Sequence, residues 1–165
     1  MDFKIVRATG EDELAVIRDL AIEIWPEVFN SIVPPAQVDF MLSTAYNLEA
    51  LRRAGAGGEH FHLAWLDGLI VGYLALTDFG DGHGKLNKIY LRKTVRGLGL
   101  GRKMLEFAVA WGRGRDLNYL VLNVNRRNVR ALQVYREAGW VHFGDELIDI
   151  GQGFVCDDHI LKFDL

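Results

Sequence analysis

The chain has 165 residues, of which 50% are hydrophobic, and its formal net charge is −3. This length supports one well-buried core and is too short for two ordinary domains, so we expect a single domain over residues 1–165. The N-terminus lacks the apolar run of a signal peptide, and no segment approaches the roughly 20 apolar residues of a membrane helix. We therefore expect a soluble, cytoplasmic protein with no membrane partner.

Cysteine and histidine residues give little sign of metal binding or redox chemistry. Cys156 is the only cysteine, which excludes an internal disulfide and a cysteine-based zinc cluster. His60 and His62 share one face of a predicted strand, but such a pair without further ligands is more typical of half-exposed strand positions. The sequence therefore predicts no metal ion.

The first 58 residues contain one strand signal followed by helix signals. Residues 3–8 have the pattern of a short strand, and Thr9 to Asp12 supply residues that commonly start a helix. Apolar residues then follow at helical spacing, at Leu14, Ile17, Ala21 and Ile24. Trp25-Pro26 is expected to end or kink this helix. A second helix is predicted to begin after Pro34-Pro35, to run through Phe40, Leu48 and Leu51, and to end at the glycine cluster 55–58.

Three strands are predicted next. The runs His60–Leu66 and Leu69–Thr77 are joined by Asp67-Gly68, which is typical of a tight hairpin, so they should pair antiparallel. A glycine-rich turn over 80–84 precedes a third strand, Leu86–Leu91.

The remaining elements alternate between helix and strand. An amphipathic helix is predicted from Leu100 to Gly112 and a buried strand from Tyr119 to Val124. Asn128 is suited to cap a further helix, which Gly139 would terminate. Two closing strands follow, at Trp140–Ile148 and Phe154–Phe163.

This order predicts an α/β fold with a central mixed, mostly antiparallel sheet flanked by helices. Strands 86–91 and 119–124 are separated by a helix. A right-handed crossover would make them parallel neighbours, or near neighbours.

The loop between strand 86–91 and the next helix has the features of a phosphate-binding turn. Its sequence is Arg96-Gly97-Leu98-Gly99-Leu100-Gly101. Glycine reaches positive φ values and lets a ligand approach the backbone, and the first turn of a helix offers free N–H groups at its positive end.

The distribution of charge supports an anion site in the same region. Residues 85–136 hold 13 of the 19 lysine and arginine residues and only two acids, Glu106 and Asp116, which gives this segment a charge of +11. Two common phosphate motifs do not fit it. A Walker loop ends in Gly-Lys-Ser/Thr, whereas this one continues Gly101-Arg102-Lys103, and the dinucleotide fingerprint requires Gly-x-Gly-x-x-Gly directly after a strand.

Two stretches, Ile89–Gly101 and Asn125–Trp140, resemble the acetyl-coenzyme A binding core of the GNAT acetyltransferases. The first carries the pattern Arg/Gln-x-x-Gly-x-Gly/Ala, at Arg96, Gly99 and Gly101. The second carries the pattern Asn-x-x-Ala-x-x-x-Tyr-x-x-x-Gly-Phe, at Asn128, Ala131, Tyr135 and Gly139, with Trp140 in place of phenylalanine.

The resemblance implies acetyl-coenzyme A as cosubstrate and a role for each matching residue. Ile89, Tyr90 and Leu91 would pair with the pantetheine arm, and the Leu91 N–H would stabilise the oxyanion. Asn128 would contact the same arm, and Tyr135 would be the general acid that protonates the leaving thiolate. The pyrophosphate would be bound by Arg96 and by the N–H groups of Gly97, Leu98, Gly99, Leu100, Gly101 and Arg102.

The acceptor and the base are less well defined. Because the chain outside the basic segment is acidic, we expect a small cationic primary amine such as a polyamine, which attacks the thioester directly. The alternative acceptor is a protein N-terminus or lysine. The segments Trp25–Pro35 and Asp149–Gly153 are expected to shape this site. Five residues in segments near its rim are candidate bases, namely Glu27, Asp78, His83, Asp157 and Asp158.

Two other classes of function compete with an enzyme. A non-catalytic acyl-coenzyme A binding module would share the fold, but Tyr135 argues against it. A nucleic-acid surface would explain the basic segment, yet no series of aromatic stacking residues accompanies it, so we expect no nucleic acid partner. The resemblance also makes a homodimer an expectation, with the strand-rich C-terminus as its interface.

Overall fold

A computed structural model describes all 165 residues, Met1–Leu165. The strands are β1 (Phe3–Arg7), β2 (Glu59–Leu66), β3 (Leu69–Asp78), β4 (His83–Leu91), β5 (Tyr119–Asn125), β6 (Val141–Gly151) and β7 (Phe154–Asp164). The helices are α1 (Glu11–Phe29), α2 (Pro35–Ala45), α3 (Leu48–Ala56), α4 (Leu100–Gly114) and α5 (Val129–Glu137). No helix combines the length and the apolar composition needed to cross a membrane.

The seven strands form one mixed sheet in the order β1-β2-β3-β4-β5-β7-β6. Only β4 and β5 are parallel, and every other neighbouring pair is antiparallel. The predicted fold class is therefore confirmed. The strands β4 and β5 are parallel neighbours as predicted, but β4 begins at His83 and not at Leu86, and the pairing uses residues that the sequence assigned to the preceding turn and its end. The Asp67-Gly68 hairpin is also present, with Asp67 and Gly68 both at positive φ.

The sheet has a hydrophobic core on each face. One core lies under α4 and α5 and includes Met104, Leu120 and Leu161. The other lies under the N-terminal helices and includes Ile17 and Tyr73. Each helix layer buries one face of the sheet, so the two faces of the central strands reach different surroundings.

The β4 and β5 strands separate after a short paired stretch. Only His83, Gly84 and Lys85 pair with β5, against Tyr119 to Val121. From Leu86 onward β4 keeps its antiparallel partner β3 but has no partner on the β5 side. The centre of the sheet thus contains a V-shaped opening with free strand edges.

Two predicted helix boundaries differ from the structure, since the first helix does not end at Trp25-Pro26 and the second is divided. Pro26 lies inside α1, which continues to Phe29. Proline removes the N–H that would bond to Ile22, and Ile22 is 54% exposed, so the carbonyl left without a donor lies at the solvated side of the helix. The single helix expected from Pro34-Pro35 to the glycine cluster is two helices, because Asn47 starts α3 by accepting a hydrogen bond from the Ala50 N–H at 2.8 Å.

The two closing strands are present, and β6 contains an irregularity that the sequence did not predict. Its register with β7 shifts between His142 and Gly144, which leaves Phe143 without a directly opposite partner. The extra residue is a β-bulge, and it changes which side chains of β6 share a face.

Candidate active site

The opening between β4 and β5 is the floor of a cleft of about 830 Å³. The C-terminal half of β4 forms one wall, β5 and α5 form the other, and α1 and the start of α4 complete it. The predicted acid Tyr135 and every predicted coenzyme-binding residue except Leu98 line this cleft. The Leu98 side chain is 52% exposed and lies outside the lining.

The free edge of β4 presents backbone groups to the cleft. In an antiparallel pair, alternate residues bond to the partner strand, and the residues between them point the other way. Arg92 donates its N–H to the Val71 carbonyl on β3 at 2.8 Å. The N–H of the preceding residue, Leu91, therefore points toward the cleft, as does that of Ile89.

Arg96 makes contacts that the sequence did not predict. Its guanidinium forms an ion pair with Glu27 at 2.6 Å and donates to the Leu91 carbonyl at 2.9 Å from Nη2 and 3.2 Å from Nε. Nη1 is also bonded to Glu27, at 2.7 Å. Every nitrogen of this side chain thus has a protein partner, and Arg96 connects α1 to the end of β4.

The glycine loop leads into α4 in a conformation that leaves N–H groups free. Gly97 and Gly99 have φ values of +83° and +79°, and a Cβ at either position would meet no atom within 4 Å. Gly99 caps α4 without any side-chain acceptor, and the first turn of α4 has no acid. It carries Arg102 and Lys103 instead, although positive charge is unfavourable at a helix N-terminus. Both features favour an anion at this end.

Asn128 and Tyr135 lie on the opposite wall of the cleft. The Asn128 side chain accepts from the Ala131 N–H at 3.3 Å, so it caps α5 as predicted. Burial alone raises the pKa of Tyr135 to about 12, and no protein group bonds to its hydroxyl. The phenol is therefore protonated at neutral pH.

Comparison with known proteins agrees with this geometry. The sequence matches the acetyltransferase (GNAT) family over residues 16–140. The chain belongs to the GNAT acetyltransferase family. It is an acetyl-coenzyme A-dependent N-acetyltransferase, as the sequence predicted.

Individual relatives extend the match to almost the whole chain. An uncharacterized N-acetyltransferase of Mycobacterium tuberculosis is 33% identical over 154 residues, which are 87% of this chain and 90% of the relative. An uncharacterized N-acetyltransferase of Lactobacillus delbrueckii subsp. lactis is 27% identical over 90% of both chains. The crystal structure of PaiA N-acetyltransferase from Thermoplasma acidophilum in complex with coenzyme A has the same fold, with a TM-score of 0.79, 19% identity and full coverage of both chains.

The structure separates the five candidate bases of this acetyltransferase. Asp78, His83 and Asp157 do not line the cleft, and each has a partner elsewhere. Glu27 does line it, but hydrogen bonding to Arg96 lowers the pKa of this carboxyl and occupies its oxygens. Asp158 also lines the cleft, and it is the one candidate there without an arginine partner.

Asp158 has the surroundings of a proton acceptor. Burial raises the pKa of its carboxyl, and the nearby Glu146 adds to that effect. A hydrogen bond from Asn123 Nδ2 at 3.3 Å opposes the shift, and the same nitrogen donates to Glu146 Oε1 at 2.9 Å. Asn123 was not among the predicted site residues. A polar residue within the predicted buried strand 119–124 could have indicated it as a functional position.

The α1–α2 connection partly covers the Asp158 side of the acetyltransferase cleft. Arg127, after β5, donates to the Ile32 carbonyl at 2.6 Å and so ties this connection across the opening. The predicted segment Trp25–Pro35 therefore contributes to the site, through residues such as Phe29 and Ile32. The other predicted segment, Asp149–Gly153, is not among the lining residues.

Proposed function

We propose that this enzyme transfers an acetyl group from acetyl-coenzyme A to the primary amine of a small cationic molecule. The observation that carries the proposal is a free β4 edge, with the Leu91 N–H directed into the cleft, next to a helix N-terminus without acids. An extended pantetheine arm can pair with such an edge, as an added strand would. The pyrophosphate then meets the N–H groups of residues 97–102.

Two features support the Leu91 N–H as the oxyanion donor. The Arg96 guanidinium bonds to the Leu91 carbonyl, so this peptide unit is fixed from its other end. The Glu27 carboxylate in turn holds Arg96 in place. A donor that is already fixed before the reaction stabilises a developing negative charge without reorganisation. Arg96 is thus a positioning residue in this proposal, and the pyrophosphate relies on the backbone and on Arg102.

The proton follows a path from nitrogen to sulfur. The protonated amine first loses one proton to solvent. Its neutral nitrogen then attacks the thioester carbonyl and forms a tetrahedral intermediate with a positively charged nitrogen and a negatively charged oxygen. Asp158 accepts the proton from this nitrogen, directly or through a water molecule. The C–S bond then breaks, and Tyr135 donates its hydroxyl proton as negative charge develops on sulfur. Exchange with solvent restores both side chains, and the products are the amide and free coenzyme A.

The shape and charge of the acceptor side favour a small cation over a peptide. The bond between Arg127 and Ile32 crosses the opening and narrows the passage that an extended chain would need. Asp158 lies at this side with Glu146 beside it, and the carboxylates attract a protonated amine. The cationic side chains Arg102 and Arg130 lie elsewhere along the cleft wall, where they suit the phosphates of the cosubstrate.

The test combines binding with turnover. Thermal unfolding is measured with acetyl-coenzyme A, coenzyme A and ATP at equal ionic strength. A ligand at 100 times its Kd should raise the midpoint by roughly 5 to 10 °C, and ATP should not. Release of the coenzyme thiol is then followed with a polyamine, an amino sugar, a lysine peptide and a free peptide N-terminus as acceptors.

The results separate the alternatives. Faster turnover with the polyamine than with both peptides is the expected result. Turnover confined to a peptide would replace the acceptor proposal with a protein acetyltransferase. A shift with coenzyme A but no turnover of any amine would point to a binding module.

A homodimer stays a prediction. The outer edge of β6 has no partner strand, and Phe143 and Leu147 on this strand are 52% and 70% exposed. Light scattering of the purified protein tests it directly.

A further inference from the structure

Three potential metal ligands meet on the C-terminal strands, outside the cleft. The carboxylate of Asp145 lies 3.1 Å from His142 Nε2 and 2.5 Å from His159 Nδ1, all through the same oxygen, Oδ1. The three ligand atoms lie within 4.8 Å of one another. The imidazole rings meet edge to face with centroids 5.1 Å apart, so both rings border the same small space.

The bulge in β6 brings these ligands together. In a regular strand, residues three apart such as His142 and Asp145 point to opposite faces. The bulge at Phe143 inserts one residue, so that His142 pairs with Leu161 and Asp145 pairs with His159. Leu161 and His159 are two residues apart on β7 and share a face, and their partners on β6 therefore share it too. Bulges recur in proteins where a side chain must be redirected.

We propose that His142, Asp145 and His159 bind a divalent transition metal ion, with zinc as the preferred ion. Two imidazole nitrogens and one carboxylate oxygen are a common ligand set for zinc, and a water molecule completes the tetrahedron. Zinc bonds of about 2.0 to 2.2 Å place neighbouring ligand atoms roughly 3.3 Å apart. The 3.1 Å contact between Asp145 and His142 is close to that spacing. The 2.5 Å contact between Asp145 and His159 is shorter, so a side-chain rotation that lengthens it would admit the ion. Magnesium and calcium, which prefer oxygen ligands, are excluded by this ligand set.

Arg126 lies beside these three ligands and should lower their affinity for zinc. Arg126 lies 3.5 Å from the same Asp145 oxygen, and its Nε donates to Asp157 at 2.8 Å. This positive charge competes with a metal ion, but the bond to Asp157 gives the guanidinium another partner when an ion is bound. Removal of the Arg126 charge should therefore strengthen zinc binding.

A bound ion would join β6 to β7 on the face of the sheet opposite the Asp158 side chain. His159 follows Asp158 in the chain, and adjacent strand residues point to opposite faces. The ion would thus fix the segment of β7 that holds Asp158, without touching the acceptor. The metal site is independent of the proposed acetyl transfer, and its test does not use enzyme activity.

The experiment measures zinc affinity in protein without an affinity tag. Zinc is titrated in competition with a chromophoric chelator, and cobalt serves as a second probe because tetrahedral nitrogen and oxygen ligation gives visible absorption. We expect one zinc ion per chain. The affinity should fall roughly tenfold or more in His142→Gln and in His159→Gln, and rise in Arg126→Gln.

The matched control is His83→Gln. His83 is also bonded to one aspartate, Asp81, at 2.5 Å, but no third ligand is near. Its zinc affinity should equal that of the wild type. Circular dichroism of each variant without metal checks the fold. The proposal is overturned if the wild type binds no zinc, or if His83→Gln weakens binding as much as His159→Gln.

Discussion

At the scale of single residues, Tyr135 is protonated but a weak acid. Its pKa is raised to about 12, so it can give up its proton only as charge develops on sulfur. Tyr135→Phe should lower kcat roughly 100-fold and leave the affinity for coenzyme A within about threefold, because general acid catalysis contributes about 100-fold or more. Steady-state kinetics and calorimetry measure the two effects. Tyr119→Phe, outside the cleft, is the control, and full activity in Tyr135→Phe would remove this residue as the acid.

Asp158 gives the second prediction at this scale. Because its pKa is raised, the carboxylate takes up a proton at a higher pH than an ordinary aspartate, and kcat should fall as the pH decreases through that range. Asp158→Asn should lower kcat by roughly 100-fold and remove this acidic limb. Asp157→Asn is a close control, since Asp157 is bonded to Arg126 outside the cleft. Equal pH profiles in wild type and Asp158→Asn would rule out Asp158 as the base.

Gly99 gives the third prediction. Its φ of +79° is the left-handed region, so Gly99→Val should cost about 1 to 2 kcal/mol of stability and narrow the approach to the α4 N-terminus. The affinity for coenzyme A should also fall when it is measured at a temperature at which the variant is fully folded. Gly101→Ala is the comparison variant and should have a smaller effect on stability. A Cβ at this position would lie 3.9 Å from Leu91, which is an ordinary contact distance. Unchanged affinity in Gly99→Val would contradict the role of the loop.

At the scale of elements, the sequence predicted all seven strands, because apolar residues recur along each strand and turn residues separate most of them. The helix boundaries were more difficult to predict, since the local preferences of residues such as proline compete there with side-chain packing. Pro26 reads as a terminator, yet α1 buries Ile24 and Trp25 on its inner face, and that contact keeps the helix intact. Tyr46 and Asn47 give only a weak boundary signal, and the break between α2 and α3 depends on one side-chain cap.

The candidate site was predictable where its residues are consecutive in sequence and unpredictable where they are distant. The glycine loop and Asn128 follow from local motifs. The pairing of Arg96 with Glu27 joins residues 69 apart, and no pattern along the chain indicates it. The His142, Asp145 and His159 cluster was not predicted, for a related reason. His60 and His62 were the histidine pair visible in the sequence, whereas His142 and Asp145 share a face only because β6 has a bulge.

At the scale of the whole molecule, His62 should make the fold sensitive to acid. It is 5% exposed, and burial lowers its pKa from 6.5 to about 4. The unfolded chain takes up this proton at a higher pH than the folded one, so stability should fall by at most about 3 kcal/mol as the pH decreases from 6.5 to 4. Urea unfolding at several pH values measures it. The raised pKa of Asp158 acts in the opposite direction, so His62→Leu must be compared with wild type at each pH. If the wild type and His62→Leu lost the same free energy of unfolding as the pH decreases, the effect would not come from His62.

The three-residue contact between β4 and β5 also has a consequence for the lifetime of the enzyme. Beyond Lys85 the two halves of the sheet have no strand-to-strand bonds, so local opening should begin at this seam. In the proposed complex, a cosubstrate bonded to the β4 edge would act as a removable strand and close this seam. We expect the amides of Ile89 and Leu91 to exchange slowly with deuterium only when acetyl-coenzyme A is present. Resistance to proteases, and with it the amount of enzyme, would then rise and fall with the supply of its own acetyl donor.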